Sequence, residues 1–261
     1  MNLSGNNFLI IYMSFILFIL GTVLGSFINC AAGRIVEGKD WIRGKSICEN
    51  CKHELGPLDL VPIFSYLFLG GKCRYCGQKI SPRNLYVELL LGVCFLLTFL
   101  NRKTIDYILF RDLILEVILL GLSLVDLDSY IIPDGFIIAG IVNWLISIFF
   151  VSDKLTYFKN GLIGGFSISA LILIASLIMD KVLGKESLGG GDVKLLFMVC
   201  LYTGIFKGFF LLFLSCAIGL FFVLLLKEEK IPFGPSISMA TFVVLLYGDL
   251  ALNWYLSLFL G

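Results

Sequence analysis

Long apolar runs alternate with short polar connections over most of this chain. About 20 apolar residues are needed to cross a bilayer as a helix. Eight runs approach this length, at residues 8–32, 84–100, 105–125, 135–151, 161–180, 194–206, 208–226 and 237–260. The pattern predicts an all-α polytopic membrane protein with about eight transmembrane helices. The 194–206 run is short, which favours a helix shielded by protein rather than by lipid.

One long polar stretch interrupts the apolar pattern, at residues 33–83. It predicts three parts: a first transmembrane helix at 1–32, a polar loop at 33–83 and a membrane-embedded core at 84–261. Most of the 20 Lys and Arg residues fall in this loop or in connections on the same side of the membrane, among them Lys181, Lys185, Lys227 and Lys230. Because basic residues favour the cytoplasmic side, we expect a multi-pass protein of the cytoplasmic (plasma) membrane with this loop in the cytoplasm.

Composition supports the membrane assignment and limits the partners. The chain is 59% hydrophobic and 15% charged, whereas soluble domains are about 45–50% apolar. Its formal net charge is +1. We therefore expect contact with membrane lipid and no nucleic-acid partner.

Two acidic residues stand at the ends of apolar runs. A charge is energetically costly there, so its presence usually indicates a function. Asp126 ends the third run, and Asp192 opens the sixth within SLGGGDVKLL. The predicted orientation puts both at the cytoplasmic face. Asp128 would point about 200° away from Asp126 on a helix, and Asp134 follows Pro133, where it would cap a helix. Asp126 lies deepest in its run and most needs a functional explanation.

Two neighbouring carboxyl groups cannot easily both ionise, so they tend to share a proton. The ionised member can take a proton from water while the protonated member gives one to a substrate carbonyl. This is aspartic protease chemistry. The three residues before Asp192 would let the loop backbone approach an extended substrate: Gly189, Gly190 and Gly191. The alternative is that the acids cap helices or pair with a nearby lysine such as Lys194.

Four cysteines in the polar loop form two CxxC pairs: Cys48, Cys51, Cys73 and Cys76. Two such pairs predict a zinc site with four thiolate ligands. Four ligands leave no open position, so the zinc would be structural. Disulfides are the alternative, although thiols stay reduced in the cytoplasm. His53 is a possible substitute ligand, and Gly77 suits the turn after the second pair. The mostly apolar residues 58–72 predict an interfacial segment.

Five segments together resemble the bacterial type IV prepilin peptidases, which belong to the GxGD membrane aspartic proteases. They read GSFINCAAGRI (25–35), the cysteine-bearing stretch (48–92), VDLDSYIIPD (125–134), LGGGDVKLL (188–196) and IPFGPSIS (231–238). Their order matches the family over nearly the whole chain. The resemblance implies that Asp126 and Asp192 are the catalytic pair.

The resemblance also implies the substrate and a second activity. In this family, the leader peptide of prepilins or pseudopilins is cut after a glycine on the cytoplasmic side. Many members then methylate the new N-terminus with S-adenosylmethionine, an activity associated with the cysteine loop. Three departures bear on that activity: no proline lies within the 48–51 pair, no proline follows Arg34, and PRNLYVE replaces the more usual Tyr-Pro segment. Glu88 is a candidate for methyl transfer or for pairing with Arg83.

Two other classes of function explain parts of the sequence. A transporter could use Asp126, Asp192 and Glu88 as an intramembrane proton relay. Its acids would be spread through the membrane, whereas the two motif acids share one face. A membrane-anchored zinc-knuckle scaffold would account for the cysteine loop and leave both aspartate motifs without a role.

Overall fold

The structure is a computed structural model, and it describes residues 3, 5–41, 43–48, 50–184, 188–227 and 231–260. The sequence features at Lys185, Ser187 and Lys230 lie outside these ranges. Eight α-helices are described: α1 Asn7–Val36, α2 Phe64–Phe68, α3 Arg83–Arg102, α4 Tyr107–Ser129, α5 Asp134–Ile148, α6 Lys154–Leu183, α7 Gly190–Leu226 and α8 Gly234–Leu260. Within the described ranges, β-structure is limited to isolated bridges, such as those that join Ile47 to Glu54 and Lys72 to Lys79. The predicted all-α architecture is confirmed.

The chain forms two compact units, Met1–Leu124 and Val125–Gly261. In the first unit α1 packs along α3, and the two helices come close where Gly21 meets Gly92. Its core is apolar and includes Leu17, Leu91 and Phe95. The predicted division at residues 32 and 83 stays a prediction.

In the second unit α7 is the central helix and packs against α5, α6 and α8. Most residues of α7 between Leu195 and Tyr202 are buried, with Leu195, Leu196 and Met198 fully enclosed. Its second half exposes large apolar side chains such as Phe213 and Phe221. This part of the short apolar run at 194–206 is thus enclosed by protein, as the sequence pattern predicts.

Five helices are long and apolar enough to span a membrane by length and composition: α1, α3, α6, α7 and α8. α4 carries several charged residues, and α5 has only 15 residues. The predicted spans at 194–206 and 208–226 are both contained in α7, which is broken at Gly204. Gly204 has φ 69° and ψ −172°, a conformation that only glycine adopts readily. The count of eight spans stays a prediction.

Candidate active site and cysteine cluster

Asp126 lies in the last turn of α4 and is buried, with 4% of its surface exposed. The backbone N–H of Gly234, the first residue of α8, donates a hydrogen bond to Asp126 Oδ2 over 2.9 Å. A Cβ atom on residue 234 would lie 2.6 Å from the same oxygen. A side chain at position 234 would displace this carboxyl group, so Gly234 lets the start of α8 approach Asp126 and orient it by a hydrogen bond.

Asp192 lies in the first turn of α7, and its backbone N–H donates to the carbonyl oxygen of Gly189. Gly189 is the N-cap residue in an extended conformation, and both it and Gly190 are exposed. Gly191 packs beside the side chain of Ile132. The charge of Asp126 acts on the carboxyl group of Asp192. The structure thus places the two sequence-predicted acids in one unit, within the range of electrostatic interaction, and Asp192 follows an accessible stretch of glycine backbone.

The competing acids and Lys194 lie elsewhere around this site. Asp128 and Asp134 are exposed, and Asp134 begins α5. The ammonium of Lys194 forms an ion pair of 2.7 Å with Asp134, which links the starts of α5 and α7. The alternative in which Lys194 neutralises Asp192 is therefore not the observed arrangement.

Gly234 contacts Asp126 in the candidate active site, although the sequence alone predicts no role for it. The segment that contains it, IPFGPSIS, contributed only to the family resemblance. Its Pro-Phe-Gly-Pro order at the start of the last apolar run was the available signal, since such a cluster marks a turn before a helix. The contact with Asp126 joins residues 108 positions apart, so no local pattern reveals it.

The four cysteines of the polar loop converge on one point. Their Sγ atoms all lie within 4.8 Å of one another, and those of Cys48 and Cys76 are 3.9 Å apart. Tetrahedral zinc with bonds of about 2.3 Å places its sulfur ligands roughly 3.8 Å apart, so the donor set fits this metal. Across all eight cysteines, each of which lies in the described ranges, no disulfide is formed. The cluster can therefore hold a metal ion, and the observed arrangement is four free thiols.

The two CxxC pairs sit in equivalent turns. Cys48 and Cys73 each accept a backbone hydrogen bond from the residue four positions on, Lys52 and Gly77 respectively. Those two residues have φ angles of 57° and 70°. Gly77 thus has the predicted turn role, and Lys52 adopts the same left-handed conformation without being glycine.

The surroundings of the cluster favour a thiolate. The backbone N–H of Gln78 and the side-chain amide of Asn50 lower the pKa of Cys76 to about 6. His53 stacks on Tyr75, with ring centroids 3.6 Å apart, and is not a member of the group. The predicted ligand set of four cysteines is the one that the structure assembles.

Glu88 is buried in α3, and its Oε2 accepts the backbone N–H of Ile63 over 2.7 Å. This contact ties the segment before α2 to α3. Apolar side chains of the same segment, including Phe64 and Phe68, are exposed, as an interfacial segment requires. Its contact with lipid stays a prediction.

Comparison with known proteins covers both units. The profile of the Bacterial Peptidase A24 N-terminal domain matches residues 19–102, which contain the cysteine cluster. The profile of the Type IV leader peptidase family matches residues 113–224, which contain Asp126 and Asp192. No solved structure matches the chain significantly.

Several relatives carry the name prepilin leader peptidase/N-methyltransferase. The chain is 31% identical to the one from Bacillus subtilis (strain 168), over 94% of this chain and 99% of the relative. It is 27% identical to that of Neisseria gonorrhoeae, over 92% and 93% of the two chains. The chain is 31% identical to the relative from Aeromonas hydrophila, over 83% of this chain and 76% of the relative. With its apolar helices and the match to nearly the full length of these relatives, this multi-pass membrane protein belongs to the type IV leader peptidase family.

Proposed function

We propose that the chain cuts the leader peptide from type IV prepilins or pseudopilins, with Asp126 and Asp192 as the catalytic pair. The observation that supports the proposal is the electrostatic interaction between these two acids, with Asp192 next to the exposed Gly189–Gly190 backbone. The bond that is cut would follow a leader glycine, next to an apolar substrate helix in the membrane. The distribution of Lys and Arg supports a site that faces the cytoplasm.

In this proposal the two acids share one proton. The ionised carboxylate takes a proton from a water molecule, whose oxygen attacks the scissile carbonyl carbon, and the other acid protonates the carbonyl oxygen. The acid that took the water proton then gives it to the amide nitrogen as the carbon–nitrogen bond breaks, and the other acid recovers its proton from the hydroxyl group on the carbon. Gly234 would hold Asp126 in a fixed orientation throughout, which is the kind of positioning on which such a step depends.

The exposed glycines would serve the substrate. A peptide must be extended where it is cut, and its backbone then needs partners. Gly189 and Gly190 lack side chains that would keep a substrate strand away from the start of α7. Gly191 faces Ile132 instead, so it would set the packing of the loop.

We also propose that the chain methylates the amine that cleavage exposes, and that the cysteine cluster holds a structural zinc ion. The names of the relatives and the match of the A24 N-terminal domain support methylation. When bound, S-adenosylmethionine supplies a methyl group to an amine nitrogen, while the carbon–sulfur electron pair passes to sulfur and a proton leaves the nitrogen for water. Zinc held by four thiolates would have no open position and would only brace the loop.

Neither alternative class is favoured. A transporter leaves the cysteine cluster without a role, and the two motif acids interact with each other within one unit. A scaffold that only binds a partner gives no reason for two acids to meet at the ends of α4 and α7.

Mass spectrometry of the reaction products tests the proposed cleavage. The purified chain is incubated with a prepilin-like peptide that contains the leader and the apolar helix, in water enriched in ¹⁸O. We expect one cut after the leader glycine, with one heavy oxygen in the new carboxyl group of the leader. A substrate that stays intact under conditions in which the enzyme is folded would contradict the proposal.

A further inference from the structure

The second unit contains a cavity of about 330 Å³ between the second half of α7 and the segment that leads into α8. Ligand sites in proteins occupy about 300–1,000 Å³ and combine apolar walls with a few polar groups. The described residues of this wall are uncharged, and the side chains of Leu220, Val223, Ile231 and Phe233 make most of it apolar. The cavity therefore suits an apolar group.

This cavity lies beside the carboxyl group of Asp126. Two of its lining residues, Phe233 and Ser236, flank Gly234 in the chain. The backbone N–H of Gly234 binds Asp126 Oδ2 over 2.9 Å. A substrate whose scissile carbonyl group lies at Asp126 has the Cα atom of its next residue about 3.8 Å further along the chain. The side chain of that residue is within reach of the cavity wall.

The opposite wall returns toward the face at which α7 begins. A Cβ atom on Gly208 would lie 3.2 Å from Cys200 Sγ. Residues eight positions apart in a continuous helix are separated by about 12 Å along its axis. The break at Gly204 therefore folds the second half of α7 back along the first. The lining residue Val223, near the end of α7, thus lies toward the level of Asp192.

One polar group of the wall has no partner among the described residues. Ser236 is 1% exposed, and its Oγ forms no hydrogen bond within the described ranges. A Cβ atom on Gly219 would lie 3.6 Å from this oxygen, so the missing side chain leaves the hydroxyl group open to the cavity. A buried hydroxyl group without a hydrogen bond is costly. The group that fills the cavity should therefore be apolar and also offer a hydrogen bond.

A peptide residue meets both requirements. Where a substrate is extended for cleavage, its backbone groups lose their helical partners, which is costly in a membrane. The Ser236 hydroxyl group can pair with one of them. A lipid acyl chain would fill the apolar space and leave Ser236 unpaired. Since the leader ends in glycine, which has no side chain, the apolar side chain must come from the residue that follows the cut.

We propose that this cavity binds the side chain of the first residue after the cut, and that the Ser236 hydroxyl group binds the substrate backbone. The inference rests on the proposed peptidase function and makes the cavity the part of the site that selects an apolar side chain. Leu220 and Val223 are exposed, so the cavity opens on the apolar outer surface of α7. An apolar substrate helix in the membrane can approach from this side.

Cleavage of paired substrates tests the selection. The full-length chain is purified in nanodiscs and given two prepilin-like substrates that differ only in having alanine or leucine directly after the cut. We expect kcat/KM to be at least tenfold higher for the leucine substrate, because an apolar pocket discriminates by the apolar groups that it buries. Leu220→Trp fills part of the cavity and should reduce this ratio to below threefold, mainly by slowing the leucine substrate.

The matched control is Leu225→Trp, which makes the same replacement in the same helix at an exposed position outside the cavity lining. Its ratio should equal that of the wild type. Ser236→Ala removes the unpaired hydroxyl group, so the free protein should melt at an equal or higher temperature. Its kcat/KM should nevertheless fall about three- to tenfold for both substrates, because one hydrogen bond to the substrate is lost. A merely structural role would lower stability and activity together.

Cross-linking tests the same site without catalysis. A substrate with a photo-reactive leucine analogue directly after the cut is bound to Asp192→Asn, and the label should fall between residues 216 and 236. A label confined to other parts of the chain overturns the inference, as does a substrate ratio that Leu220→Trp leaves unchanged while cleavage continues. In both cases the peptidase proposal stands. A correctly placed label on a protein whose wild type cuts neither substrate supports the inference and counts against the peptidase.

Discussion

The contact between Gly234 and Asp126 makes a strong prediction about catalysis. In Gly234→Ala, the new methyl group would lie 2.6 Å from Asp126 Oδ2 and 3.2 Å from its Cγ. An ordinary carbon–oxygen contact is about 3.3 Å, so the carboxyl group or the start of α8 must move by about 0.7 Å. A displacement of about 1 Å in a catalytic group can lower a rate about 100-fold. We expect kcat to fall between about tenfold and a hundredfold, with a smaller change in KM.

The assay is steady-state cleavage of a prepilin-like substrate by purified protein, with thermal melting to check folding. Gly135→Ala is the matched control, because a Cβ atom there meets nothing within 4 Å. That variant should cut at the wild-type rate. If Gly234→Ala also cuts at the wild-type rate, then the position of the Asp126 carboxyl group does not limit the reaction and the reasoning fails.

Three further predictions concern the ion pair of Lys194, the cysteine cluster and the polar loop. Lys194→Gln or Asp134→Asn breaks an exposed ion pair and should lower the free energy of unfolding by no more than about 1 kcal/mol in chemical denaturation; a larger loss in either would refute this. Cys73→Ser removes a buried member of the cluster. Elemental analysis should find about one zinc ion per chain in the wild type and none in the variant. Zinc retained by the variant at the wild-type level would contradict the ligand set. Burial opposes ionisation of Asp59, but the Gly56 N–H and Arg74 outweigh burial and lower the pKa of this carboxyl group. The ionised Asp59 therefore stabilises the fold above about pH 4, and this stabilisation is lost as the pH falls below that value. Asp59→Asn should therefore melt at a lower temperature at pH 7 and lose less further stability in acid; an unchanged acid response would contradict this.

Local patterns predict those parts of the site that depend on residue type and spacing. The positions of Asp126 and Asp192 at the ends of apolar runs make them candidates for the active site, because an acidic side chain inside a membrane is costly and usually has a function. The CxxC spacing predicts the four cysteines that the structure brings together, and Gly77 predicts one of the turns that hold them. Each of these inferences uses residues that are close in sequence.

The rest depends on contacts between distant segments. Lys194 lies two positions from Asp192, yet it pairs with Asp134, because the start of α5 packs beside the start of α7. Glu88 holds the Ile63 turn 25 residues away, a role that the sequence did not suggest for it. The break at Gly204 is hidden within a continuous apolar stretch, since hydropathy reports burial and not backbone direction.

The central claim is that Asp126 and Asp192 together perform the cleavage. The most direct measurement is the single-turnover rate of leader cleavage by Asp126→Asn and Asp192→Asn, with exposed Asp128→Asn as the matched control. We predict that each of the first two variants loses at least about a thousandfold in rate while remaining folded, and that the control cuts at the wild-type rate. Cleavage by either active-site variant at close to the wild-type rate would contradict the account.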